Sequence, residues 1–477
     1  MDMMNISNMK KNKFYITTPI YYANAKAHIG HAYTTIAADV LARWHKLQNE
    51  EVFLLTGMDE HGVKIQKAAQ AQGKKPQEFV DEISEGVKDL WKDLNIEYDG
   101  FIRTTDEKHK EATQKTLQFL FDEGVIYKGE YEGLYCVGCE QFKSDNDLVD
   151  GKCPDHGTAA EKMKEECYLL KMNFVQKELI EKIKSDEFSI QPERYKKEIL
   201  SFLENQELKD ISISRKNVAW GIELPFDKEH TTYVWVDAFL NYLTGIGWEG
   251  GSSEIPKQWP AGLQIIGKDI LRVHATIWPI LLLHLGIELP KVLFTHGHIL
   301  SGGKKMSKTL GNVIGIDEMI EKFGTDGTRY LLLSSGTFGE DIDVTMERMI
   351  EKYNADLANG LGNLVSRVIK LAVDVEYENI KPEISVDFSK GFKEMRLSEI
   401  LNIIWNFIGD YNKEIEDNKP WELLKTDKEK FEKVMKRLVG HLYNISDWLK
   451  PFLPETAEKI RIALETKKVE PLFARMR

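Results

Sequence analysis

Two histidines separated by two residues, His28-Ile29-Gly30-His31, stand where an alternating, β-rich segment gives way to helical spacing. At such a place free backbone N–H groups and the positive helix end attract phosphate oxygens. A glycine lets a ligand approach the backbone, and two imidazoles can donate hydrogen bonds to a triphosphate. Far downstream, Lys305-Met306-Ser307-Lys308-Thr309 follows the Gly-flanked loop Ser301-Gly302-Gly303-Lys304. Mobile lysines after a strand suit a pyrophosphate that is held during reaction and then released. Alone, the first motif could be a chance match and the second a solvated surface loop. Each at a strand end of one parallel sheet, they support each other.

A third constellation is of another kind. All four cysteines fall between Cys136 and Cys167, and three of them join a histidine as Cys136-x2-Cys139-x13-Cys153-x2-His156. Two turns, each presenting a close ligand pair, complete a tetrahedral set of three sulfurs and one nitrogen, for which Zn2+ is the expected ion. The set leaves no position for a water, so the role is structural. Gly138, Pro154 and Gly157 fit tight knuckle turns, and Cys167 reads as a buried thiol outside the pattern.

The elements that must position these groups are readable in outline. Residues 13–18 alternate as a strand, and residues 31–48 carry Ile36, Val40, Leu41 and Trp44 at helical spacing. Residues 52–56 form a second apolar run, followed by a helix to Ala71, so a βαβ unit and a parallel sheet open the chain. Residues 264–267, 270–285 and 292–296 repeat strand, helix, strand. Between the halves lie the cysteine cluster and a Lys/Glu-rich helical stretch at 175–208, which implies a nucleotide-binding fold interrupted by an insertion. From Ile316 onward helical periodicity dominates, as at 355–372 and 394–415, and predicts a helical bundle.

The 477 residues exceed one domain and imply two to four. There is no apolar window long enough to span a bilayer. The polar start, residues 1–13, lacks the apolar centre of a secretory signal, so a cytoplasmic protein is expected. A net charge of −12 leaves nucleic-acid binding open, because a local basic surface, not the total charge, neutralises phosphates.

The two phosphate-type motifs resemble the HIGH and KMSKS signatures of class I aminoacyl-tRNA synthetases, the second departing only at Thr309. Residues 17–24, 55–62, 234–238 and 266–270 are similar to segments of the methionyl-tRNA synthetase family in particular. That resemblance implies catalysis by His28, His31, Lys305 and Lys308, and ATP contacts from these with Gly30, Arg215, Glu223 and Asp269. Mg2+ would accompany the phosphates. It implies a methionine side-chain pocket of Ile20, Tyr22, Trp235, Ala238, Tyr242, Ile270 and His274, with Asp59 on the amino group. Any one of these aromatics taken alone reads better as core, and it is the set, spread across the chain in family order, that points to the pocket. Tyr and Trp favour a polarizable thioether, and His274 is the candidate for sensing its sulfur.

The resemblance further implies that Asn363, Arg367 and Trp421 read the CAU anticodon of tRNA(Met). Asn363 and Arg367 lie four apart on one helix face, while Pro420-Trp421 opens a later helix. The expected fold is a Rossmann-like α/β parallel-sheet catalytic domain split by the zinc-containing insertion, followed by an α-helical anticodon-binding bundle. Its limits are 1–12, a disordered start; 13–117 and 231–325, the catalytic halves; 118–230, the insertion; 326–360, a stem-contact link; and 361–477, the bundle. An insertion this short is not a large editing domain. The end at Arg477, without a further β-barrel, suggests a monomer. Two rivals stay open at this point: another class I enzyme, such as a cysteinyl one, or a non-catalytic RNA-binding relative.

Overall fold

Along each central strand, neighbouring apolar residues enter different cores. Tyr15 and Ile16, Leu54 and Leu55, Ile265 and Ile266, and Leu293 and Phe294 are all buried, and each pair is split between two hydrophobic clusters. A strand covered on both faces reads as a continuous apolar run, and these do. The sheet they form comprises β1 (Lys13–Tyr22), β2 (Glu51–Asp59), β3 (Gly100–Arg103), β4 (Ser189–Gln191), β5 (Leu263–Gly267) and β6 (Val292–His296). All its pairings are parallel and its order is β3-β2-β1-β5-β6-β4. The computed structural model describes residues 12–136, 141–143, 148–154, 157–216, 218–306, 313–377, 380 and 384–476.

Ile36 and Val40 of the helix Ile29–Leu47, and Phe79, Leu90 and Trp91 of Pro76–Asp93, cover one face of the sheet. The same core continues without a break through Leu331 and Leu332 of the helix Ile316–Ser334 into the bundle. There Leu364, Leu401, Leu438 and Ile460 come from the helices Asn363–Leu371, Leu397–Asn418, Lys428–Leu449 and Pro454–Thr466. The other face is covered by Glu107–Asp122, Val234–Thr244 and Ile277–His284, whose core runs on into the insertion through Leu179, Ile183, Ile199 and Leu203. The insertion's own sheet is antiparallel, centred on the long ladder between Ile126–Cys136 and Glu161–Leu170.

Three local expectations change. The single helix expected at 270–285 is broken at Thr276 (φ −126°, ψ −68°) into Leu271–Ala275 and Ile277–His284. The break places Pro279 in a first turn, where its missing N–H costs nothing. The stretch at 175–208 is two helices, Gln176–Lys184 and Glu193–Asn205, and β4 between them pairs with β6 at the sheet edge. The helical run at 355–372 begins as a π-helix, Tyr353–Gly362, before Asn363–Leu371.

Candidate active site

β1 sends its chain to β2 on one side and pairs with β5 on the other, so the order reverses between β1 and β5. Open α/β sheets bind ligands at the carboxyl ends of the strands flanking such a reversal. A cleft of about 1360 Å³ opens there. Its lining includes residues from just after β1, from the end of β2, from the turn after β5 and from the segment after β6.

His28 is the N-cap of the helix Ile29–Leu47, in extended conformation (φ −124°, ψ 174°). Its Nδ1 accepts from the Gly30 N–H at 3.1 Å, and His31 Nδ1 accepts from the His28 N–H at 3.3 Å. The two imidazoles, stacked with ring centroids 3.7 Å apart, thus play the parts of a capping box. Because each Nδ1 is an acceptor, each neutral ring carries its proton on Nε2, a donor for a phosphate oxygen. Burial, and then the neighbouring His28, hold the His31 basicity well below the ordinary value. His28 itself is exposed at its edge, yet the surrounding walls still lower its pKa by desolvation, with Asp269 opposing. A Cβ on Gly30 would stand 2.9 Å from the His28 ring, so the glycine makes room for the imidazole cap itself.

Lys305 lines the cleft from a hairpin, Ile299–Ser301 paired with Lys304–Lys305. Gly302 and Gly303 both have positive φ (60° and 72°), which a two-residue turn matching strand twist requires. The hairpin is docked on Ile342–Asp343: Ile299 pairs with Ile342, and the Gly303 N–H donates to Asp343 Oδ1 at 2.9 Å. Lys308, with Ser307 and Thr309, lies outside the described residues. Asp269 reaches the cleft beside Gly267, where a Cβ would meet its Oδ1 at 2.6 Å.

At the other end of the cleft, Ile20, Tyr22, Asp59, Trp235, Ala238, Tyr242, Ile270 and His274 all contribute to the wall. His274 is buried, and its Nδ1–H donates to the Ile270 carbonyl at 2.9 Å while its Nε2 accepts from the Tyr242 hydroxyl at 2.9 Å. Phe239 meets the ring edge-on at 4.9 Å. Burial drives the His274 pKa down to about 4, so the ring is neutral near pH 7. With both ring nitrogens engaged, it fixes the Tyr242 hydroxyl rather than presenting an N–H of its own.

Several contributors carry no motif. His296, at the end of β6, donates from Nδ1 to the Gly297 carbonyl and accepts at Nε2 from Thr34, one turn beyond His31. A histidine following an apolar strand is the same signal as His28 and could have been read in that way. Lys268 binds both oxygens of Asp341 at 2.7 and 2.8 Å, and Asp341 also accepts from the His298 N–H. Behind the apolar end, fully buried Asp237 accepts from His61 (2.6 Å) and His109 (2.7 Å). Burial raises the Asp237 pKa, but the charge of His61 and the hydrogen bonds of both rings outweigh it and hold it low. Glu60, equally buried, is held by Arg103, Ser84 and Thr105. The run Asp59-Glu60-His61 therefore sends one side chain to the cleft and two into its supports.

Arg215 and Glu223 do not line the cleft. Arg215 lies over the Tyr233 ring at 4.4 Å and donates to Ser212 and to the Ser214 carbonyl. Glu223 is exposed on a short strand. In the bundle, Asn363 is exposed, and Arg367 and Trp421, from different helices, come together with the guanidinium 5.5 Å from the indole centroid. Of the cysteine and histidine set, Cys136 and Cys153 are fully buried, while Cys139 and His156 lie outside the described residues. Among the described residues no group of three or more His, Cys, Asp or Glu is arranged to hold a metal.

A split parallel sheet with paired imidazoles at its first helix and a lysine hairpin after its last central strand is the architecture of a class I tRNA synthetase. The family model described as "tRNA synthetases class I (M)" matches residues 14–167 and 146–369. The chain belongs to that family, in its methionyl branch. It is 46% identical to the methionine–tRNA ligase of Clostridium acetobutylicum, over 95% of this chain and 74% of that protein. The corresponding ligase of Thermotoga maritima is 39% identical, over 95% of this chain and 76% of its own. Among solved structures, Mycobacterium tuberculosis methionyl-tRNA synthetase in complex with methionyl-adenylate superposes with a TM-score of 0.88 at 35% identity, covering 94% of this chain and 93% of that one.

Proposed function

We propose that this chain activates methionine with ATP and then charges tRNA(Met), using the same cleft for both steps. The methionine carboxylate attacks the α-phosphorus of ATP, the bond to the β-phosphate oxygen breaks, and pyrophosphate leaves. A ribose hydroxyl at the tRNA 3′ end then attacks the acyl carbon, and AMP departs. Neither step needs a covalent enzyme nucleophile, so the protein supplies position and charge. Mg2+ bound with ATP would offset phosphate charge. The Nε2–H groups of His28 and His31 donate to the phosphates, and Lys305 and Lys308 follow the departing pyrophosphate. Asp59 receives the ammonium group, and Asp269 takes a ribose hydroxyl.

The observation that carries this reading is the pairing of two unlike ends in one cleft: outward-donating imidazoles at a helix N-terminus, and an aromatic wall ending in the neutral Tyr242–His274 pair. The wall suits a thioether, which a cation there would not. Zinc is proposed for the insertion in a structural role, held by Cys136, Cys139, Cys153 and His156. Two features support it: the full burial of Cys136 and Cys153, and the turn closed by the Gly157 N–H on the Cys153 carbonyl at 2.7 Å, with Gly157 at φ 65°. Arg367, Trp421 and Asn363 are proposed to hold the anticodon, an unpaired base stacking on the indole.

ATP–pyrophosphate exchange measured with each of the twenty amino acids tests the reading. Exchange should depend on methionine and exceed that with any other amino acid by at least two orders of magnitude. Equal or greater exchange with cysteine would overturn it.

A further inference from the structure

Arg329 is a fully buried guanidinium, and each of its five N–H groups has an acceptor. Nη2 meets Asp39 Oδ2 at 2.6 Å and the Pro451 carbonyl at 3.2 Å; Nε meets the Phe452 carbonyl at 2.8 Å; Nη1 meets the Leu94 and Asn95 carbonyls at 3.1 and 3.4 Å. These acceptors belong to three separate parts of the chain. Asp39 lies on the helix that begins at the His28–His31 cap. Leu94 and Asn95 form the turn before β3. Pro451 and Phe452 are the loop joining the bundle helices Lys428–Leu449 and Pro454–Thr466.

The surroundings repeat this division. Asp39 also accepts from Arg43 Nε at 2.8 Å and from the Glu97 N–H at 2.9 Å, so it cannot follow Arg329 if the bundle shifts. One turn earlier on the same helix, Thr325 donates to the Asp93 carbonyl, and Asp326 accepts from the Thr456 N–H in the first turn of the last bundle helix. Gly324, at φ 70° and ψ 173°, breaks the helix just before Thr325, so Thr325, Asp326 and Arg329 sit on one helical segment. Phe392 of the bundle stacks on Trp44 at 4.8 Å and contacts Phe452, and closes the joint with apolar surface. Of these residues only Asp93 also lines the cleft; Arg329 and its five acceptors do not.

We propose that Arg329 is a positioning residue for tRNA charging: it fixes the angle of the bundle, and so of Arg367 and Trp421, relative to the helix carrying His28 and His31. A charged fork with fixed geometry suits this, because all five acceptors are satisfied at one orientation only. A lysine keeps the charge but offers three donors from a point, so it cannot span the same carbonyls. The inference rests on the charging function proposed above.

The full-length Arg329→Lys protein, assayed beside the unaltered one, tests it. Methionine-dependent exchange without tRNA should stay within about threefold, while kcat/KM for charging falls at least tenfold. In a Trp421→Ala background, where the bundle has lost its grip on the anticodon, adding Arg329→Lys should lower charging by less than threefold. Equal losses in exchange and charging would make Arg329 a fold residue only, and an additive loss in the Trp421→Ala background would likewise overturn the proposal. If Arg329→Lys does not fold, Asp39→Asn, which keeps an acceptor at that position, must show the same split or the assignment fails. Methionine-independent exchange in the unaltered protein would sink the proposed function, whereas unchanged bundle orientation by small-angle scattering in Arg329→Lys would overturn the joint on its own.

Discussion

The cleft and the bundle face proposed to read the anticodon hold their side chains in different ways. In the cleft, His28 and His31 cap each other's backbone, and His274 is tied at both nitrogens. Behind them Asp237 and Glu60 are buried in complete hydrogen-bonded sets. On the bundle face, Arg367 shares an ion pair at 2.6 Å with the exposed Glu416, Trp421 is 37% exposed, and Leu424 beside it is 50% exposed. A phosphorus centre under attack needs donors whose positions cost nothing to arrange, whereas a single-stranded RNA loop, the ligand proposed for the bundle face, arrives in many shapes and suits exposed side chains.

The sharpest way to break this contrast is His31→Ala. Removing it takes away a phosphate donor and the cap on the His28 N–H together, so exchange should fall on the order of 10²–10³-fold with little change in the KM for methionine. A loss confined to KM would make the pair a binding device and not a preorganised one.

A pH series gives the next effect. His274 is neutral in the fold, with a pKa of about 4 against 6.5 when unfolded. A depressed pKa means that the unfolded chain takes the proton first. The associated stability is fully present above pH 6.5 and is lost as the pH falls toward 4, amounting to roughly 3 kcal/mol over the window. His28, His31, His296 and His298 are depressed as well and add in the same direction. Urea titrations of His274→Gln at pH 7 and pH 5 should therefore show a smaller acid loss than the unaltered chain shows. An identical loss would mean that the ring is not held neutral by its site.

Trp421→Ala should give the smallest change, and in only one assay. Losing a stacking surface of ~1–3 kcal/mol per base lowers tRNA charging by tens of fold, with tRNA-free exchange as the reference. Charging that survives the substitution would move the anticodon site elsewhere on the bundle.

Much of the cleft was legible because its residues follow strands in short runs. The alternation at 13–18 and the helical spacing after His31 place β1 and its helix, and the resemblance to a known family collects the aromatic wall. What escaped was of two kinds. β4 is three residues long in a Lys/Glu-rich stretch, with Ile190 as its one buried apolar side chain, too little for a periodic signal. The supports are pairs remote in sequence, His61 with Asp237 and Asp39 with Arg329, and no spacing rule couples residues that far apart. Arg215 and Glu223 came from the resemblance alone, and the fold places them outside the cleft lining.

The uninterrupted core that runs from Ile36 through Leu331 to Leu438 has a meaning for anyone who would rebuild this molecule. A recognition module that could be unplugged and exchanged for another would meet its host across a mostly polar seam. Here the seam is interior: the helix Ile29–Leu47, which organises the phosphate end, has no outer surface on that side to show to water. Exchange of the bundle for another is therefore a problem of repacking a core to native density, whereas the exposed skin around Trp421 and Arg367, where we propose the anticodon is read, can be varied without disturbing that core.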